Sequence, residues 1–81
     1  MRVIDARSGQ EMAIGERIDY QDGESVTLLE VRPGLLRAEA LARTVHRTPE
    51  GRLATAQAWV PLVVRWTHPR FLFEHVAFFP S

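Results

Sequence analysis

The sequence predicts a mainly β fold, a small antiparallel barrel or curled sheet of five to six strands forming one domain over residues 1–81. Three observations predict it: an Asp-Gly pair between two alternating segments, short β-branched runs separated by Gly and Pro, and a chain of 81 residues with room for a single core. The main alternative is an α+β fold with a helix over 35–47.

Each element follows in order. Val3-Ile4 reads as a short strand, and Arg7-Ser8-Gly9-Gln10 as a turn returning the chain toward Met12 to Ile14. After Gly15, Ile18 and Tyr20 alternate with Arg17 and Asp19 as in a half-buried strand. Asp22-Gly23 then predicts a hairpin, because glycine accepts positive φ without a Cβ clash and aspartate tolerates it better than most residues. Ser25 to Arg32 is rich in apolar and β-branched residues, and Leu29 and Val31 are expected to face the core. Pro33-Gly34 ends this strand.

The stretch from Leu35 to Val45 supports two readings. Its composition suits a helix, and Leu35, Ala38, Leu41, Ala42 and Val45 recur near a period of 3.6. A long hairpin from 36 to 66, with its tip at Pro49-Glu50-Gly51, accounts for more of the pattern. The run Trp59 to Trp66 reads as a strand whose Pro61 requires an edge position, a bulge or a break. Thr67 to Arg70 reads as a turn, and Phe71 to Phe79 as the final strand.

Ten arginines balance ten acidic residues, so the chain as a whole lacks the electrostatic attraction of a basic domain for nucleic acid. The balance is uneven along the chain. Residues 1–40 hold five arginines against eight acidic residues, net −3, and residues 41–81 hold five against two, net +3. The absence of lysine reflects GC-rich coding and points to no site. With no cysteine there is no disulfide framework or thiolate chemistry, and a reducing, cytoplasmic location is expected. No secretory signal or membrane span is expected either, since charges interrupt every apolar run.

The chemical motifs point away from catalysis. His46, His68 and His75 match no usual zinc spacing, and adjacent Glu74 and His75 would point to opposite faces of a strand. Ser8, Ser25 and Ser81 lie in turn-like or terminal contexts with no nucleophile elbow, and no glycine-rich phosphate loop occurs. No cofactor, no metal and no enzymatic activity are expected. A surplus of apolar residues near the C-terminus is more informative. On a strand, Phe71, Phe73 and Phe79 fall on one face while Leu72, Val76 and Phe78 fall on the other, and Trp59 to Trp66 repeats this two-faced pattern. A small barrel buries one face of each strand, so the other face calls for a partner, a homodimer first, unless a bulge at Pro61 switches the register.

The interface candidates are therefore Trp59, Trp66, Phe71, Phe73, Phe78 and Phe79. Arg65, His68, Arg70 and His75 form the one candidate polar binding cluster. The functional expectation is a small non-enzymatic interaction or assembly module that binds itself or another protein through its apolar C-terminal strand. A nucleic-acid-associated barrel using the positive half comes second, with Arg65-Trp66, Arg70-Phe71 and Phe73 supplying interleaved charge and stacking. A small-molecule binder at a subunit interface comes third.

The segment Ile14 to Glu24 followed by Val26 to Val31, with Gly15, Ile18 and Tyr20 spaced as Gly-x-x-Ile-x-Tyr, resembles the opening of SH3-like small barrels. The whole chain is also similar in style to small bacteriophage proteins of GC-rich bacteria. The first resemblance implies a barrel serving peptide, nucleic-acid or assembly roles. The second implies a phage or mobile-element origin.

Overall fold

The computed structural model describes residues 3–62 and 78–80. Within them the protein is mainly β, with seven antiparallel strands: β1 (Val3–Asp5), β2 (Glu11–Met12), β3 (Arg17–Asp19), β4 (Ser25–Arg32), β5 (Glu39–Arg47), β6 (Leu53–Pro61) and β7 (Phe78–Pro80). They form a three-stranded sheet in the order β2-β1-β7 and a four-stranded sheet in the order β3-β4-β5-β6. Among the described residues the sheets stay separate and no barrel closes.

Turn chemistry sets the hairpins. The opening hairpin pairs Val3 with Met12, and its loop carries Gly9 at φ 75°. Asp22 and Gly23 both take positive φ, 63° and 80°, as the Asp-Gly signal requires, and β3 pairs with β4 across them. The β5–β6 tip closes with the Thr48 amide donating to the Arg52 carbonyl at 2.7 Å and Gly51 at φ 84°.

One expectation needs correction, and two alternatives are set aside. Residues 39–47 form a strand, as the long-hairpin reading has it, and not the alternative helix. Ala40, Ala42 and Thr44 are buried while Arg43 between them is exposed, so the working period is two; pairing to β4 on one side and β6 on the other overrides helical propensity. In β4 the fully buried residues are Val26 and Leu28, whereas Leu29 is half-buried. The cause is a register shift between Leu28 and Glu30, which returns Val31 to the core side. At Pro61, by contrast, no register switch occurs. Pairing runs without interruption from Arg47–Leu53 to Glu39–Pro61, and the Leu62 amide extends it by donating to the Ala38 carbonyl at 2.9 Å.

The core lies between the two sheets. Val3 and Met12 come from the smaller one, and Ile18, Val26, Leu28, Ala40, Ala42 and Val60 from the larger, with Leu62 just beyond β6. Alanines hold much of the inner side of β5 and β6 where larger aliphatics hold β4, so among the described residues most of the core's apolar volume comes from residues 3–40. No helix among the described residues is long and apolar enough to cross a membrane.

Candidate functional site

Two surfaces stand out, one polar and one apolar. The polar one centres on Asp5, the last residue of β1 and fully buried. Its Oδ2 accepts hydrogen bonds from the Tyr20 hydroxyl at 2.5 Å, the Ser8 hydroxyl at 2.7 Å and the Ser8 amide at 3.1 Å. The Ser8 hydroxyl in turn accepts from the Gln10 amide. A buried carboxylate requires such donors, since its desolvation otherwise costs several kcal/mol, on the order of the penalties for unpaired buried ions. Oδ1 has no partner among the described residues.

Tyr20 links this carboxylate to the rest of the fold. Burial first, then the hydrogen bond and negative charge of Asp5, push the Tyr20 hydroxyl well above its ordinary pKa, and Arg7 offsets part of this. Tyr20 therefore stays protonated at neutral pH and serves as a donor. The Arg7 guanidinium stacks over the Tyr20 ring at 4.2 Å from its centroid and pairs with Glu24 at 2.8 Å. Glu24 also accepts from the Arg47 amide, and the Arg47 guanidinium donates to the carbonyls of Asp22 and Gly51. The result is a polar seam joining the β1–β2, β3–β4 and β5–β6 turns. Apart from Asp5 Oδ1, these groups pair with one another and clamp the three turns together. Among the described residues no group of three His, Cys, Asp or Glu side chains converges as a metal site.

The apolar surface lies at the opposite end of β4. In the β4–β5 loop Leu35 is 100% exposed and Leu36 89% exposed, beside Ile14 at 54%. These residues border an open groove of about 380 Å³ whose floor includes Val31, Pro33 and Ala38. The loop is tight. A Cβ placed on Gly34 would collide with the Arg37 carbonyl oxygen and come within 2.9 Å of Glu39 Cγ, so glycine is required there. Around the corner, on the outer face of the large sheet, Arg32 stacks on half-buried Trp59 at 3.7 Å from the ring centroid and pairs with Glu39 at 3.0 Å.

Of the residues marked in the sequence as interface candidates, Trp59 lies on the outer face of β6 beneath Arg32. Phe78 and Phe79 lie in β7, in register with Asp5 and Ile4. Trp66, Phe71 and Phe73 fall outside the described residues, as do Arg65, His68, Arg70 and His75, so the structure brings no part of that polar cluster together. Sequence reasoning missed Asp5, Tyr20, Leu35 and Leu36 as site residues. Asp5-x-x-Ser8-Gly9 did carry a signal, the turn in which an aspartate side chain caps an amide three residues on. The leucine pair carried none, because Leu35-Leu36 reads equally well as the start of a helix or a strand. Comparison with known proteins finds no matching family model, no curated protein of similar sequence and no similar solved structure.

Proposed function

We propose that this chain is a small non-enzymatic interaction and assembly module of the cytoplasm, phage- or mobile-element-encoded, that binds itself or a protein partner through apolar surface. One observation carries the reading: two neighbouring leucines, fully and nearly fully exposed, are held on a turn that admits only glycine at position 34. Exposed apolar side chains gathered on a small domain mark interaction sites, and burying each leucine is worth roughly 1.5–3 kcal/mol. Trp59 and the C-terminal run of Phe71, Phe73, Phe78 and Phe79 belong to the same proposal as sequence-marked apolar surface, with Trp66 between them.

The nucleic-acid reading draws less support. Its Arg65 and Arg70 lie outside the described residues, and among the described residues the outer-face arginines are engaged within the fold, Arg17 with Asp19, Arg32 with Glu39, Arg43 with Gln57, and Arg47 with two carbonyls. The test compares wild type with a Leu35→Ser/Leu36→Ser double variant by light scattering at rising concentration and by quantitative pull-down. The proposal expects the variant to keep its fold and lose association or a specific bound protein. Unchanged behaviour in both assays overturns the assignment of this surface. Binding to an oligonucleotide that falls steeply with salt would favour the second reading instead.

A further inference from the structure

The strand β6 has features that the exposed leucines do not account for. Of the larger sheet's two edges among the described residues, β3 is three residues long and carries Arg17 and Asp19, with Ile18 as its one apolar residue. The edge of the smaller sheet at β2 is two residues long and carries Glu11. Short, charged edges resist pairing with other chains. β6, the larger sheet's other edge among the described residues, runs nine residues, Leu-Ala-Thr-Ala-Gln-Ala-Trp-Val-Pro, with no charge and no glycine.

The ladder fixes which amides of β6 point outward. Leu62 and Thr48 donate to Ala38 and Arg52, so the hydrogen-bonded pairs of this hairpin are the even-numbered residues. The amides of Leu53, Thr55, Gln57 and Trp59 therefore point away from β5. Pro61, the next in that series, has no N–H to offer and ends it.

We infer that β6 pairs antiparallel with β6 of a second copy about a twofold axis through Ala56, joining two four-stranded sheets into one of eight strands. This deepens the assembly reading by naming a partner and a surface separate from Leu35 and Leu36. The register is the one that uses all four outward amides and both copies' matching carbonyls. Leu53 then faces Trp59 of the other copy and Thr55 faces Gln57, so a half-exposed leucine gains an aromatic neighbour. On the inner face Ala54 meets Ala58, and Ala56 meets its own copy at a non-hydrogen-bonded position, where side chains approach most closely and alanine fits. Shifting the axis to Gln57 sets Pro61 against Leu53 and leaves a carbonyl without a donor in each copy. No charged side chain meets a like charge along the seam, because β6 has none.

Charge variants test both the surface and the register. Thr55 and Gln57 are exposed on the outer face, so substitution there should leave the fold intact, as checked by thermal unfolding. A Thr55→Lys/Gln57→Lys variant places like charges opposite each other across the axis and should be monomeric by light scattering at concentrations where wild type is a dimer. A Thr55→Glu/Gln57→Glu variant should behave the same way. An equimolar mixture of the two should recover the dimer mass, each lysine facing a glutamate. A monomeric wild type, a dimer indifferent to both substitutions, or a mixture that stays monomeric each overturns the inference. Should the charge variants remain dimeric while Leu35→Ser/Leu36→Ser breaks the dimer, the assembly reading stands and the β6 pairing falls.

Discussion

At the scale of single residues, Asp5 and Tyr20 decide most. One buried carboxylate oxygen gathers two side-chain donors and an amide, and Tyr20 is the donor that reaches across from the other sheet. Tyr20→Phe removes that bond without opening a cavity, and leaves Asp5 with Ser8 alone. Hydrogen bonds to charged groups contribute about 1.5–3 kcal/mol, so the variant should lose stability on that order in urea unfolding, while an Asp5→Asn/Tyr20→Phe double variant should lose less than the two single changes together. The pH dependence has a definite sign. The tyrosine pKa is raised in the folded state, so the unfolded chain releases its proton first. The stability tied to that proton is complete below the unfolded tyrosine value of about 10 and declines as pH rises above it. Denaturation between pH 8 and 11 should show a steeper alkaline loss for wild type than for Tyr20→Phe; parallel curves would contradict the role given to this hydroxyl.

At the scale of elements, legibility followed how local each signal was. The Asp22-Gly23 hairpin, the Pro49-Glu50-Gly51 tip and the Ser8-Gly9 turn were readable because a few adjacent residues with special backbone preferences determine them. The inward face of β4 was not, since the shift after Leu28 arises from pairing with β5 and changes which residues face the core midway along the strand. Position 35–47 was ambiguous for a related reason. Alanine and leucine satisfy both periods, and pairing on both sides of β5 settles the matter in favour of the strand. Pro33-Gly34 announced the end of β4, but the exposure of Leu35 and Leu36 was not legible, because the shape of the loop depends on Gly34 approaching Arg37 and Glu39, a contact no local pattern announces. Gly34→Ala should therefore rearrange this loop. The expected outcome is a thermal midpoint several degrees lower, with chemical-shift changes centred on residues 33–39, and an unperturbed spectrum would contradict the tight approach.

At the scale of the whole molecule, the described core is small. Nine buried apolar residues, two of them alanines, fill the space between two sheets, and among the described residues the larger sheet ends in a nine-residue uncharged strand. Domains of this size bury roughly 60% of their unfolded surface, which leaves a narrow margin that association can widen. The sequence's two-faced C-terminal run pointed to a partner on grounds of apolar surplus. The structure adds a surface that the surplus did not indicate, the outward amides of β6, legible once the pairing of β5 with β6 fixes their direction. Trp59 belongs to both arguments, as an apolar candidate and as the residue facing Leu53 across the proposed axis.

The most direct measurement is hydrogen exchange at the amides of Leu53, Thr55, Gln57 and Trp59, followed across a hundredfold range of protein concentration. Pairing between copies predicts that these four slow together as concentration rises, at the same midpoint as the increase in solution mass from 9.2 kDa to twice that value. Exchange rates that do not change with concentration, whether fast or slow, would contradict assembly through this edge.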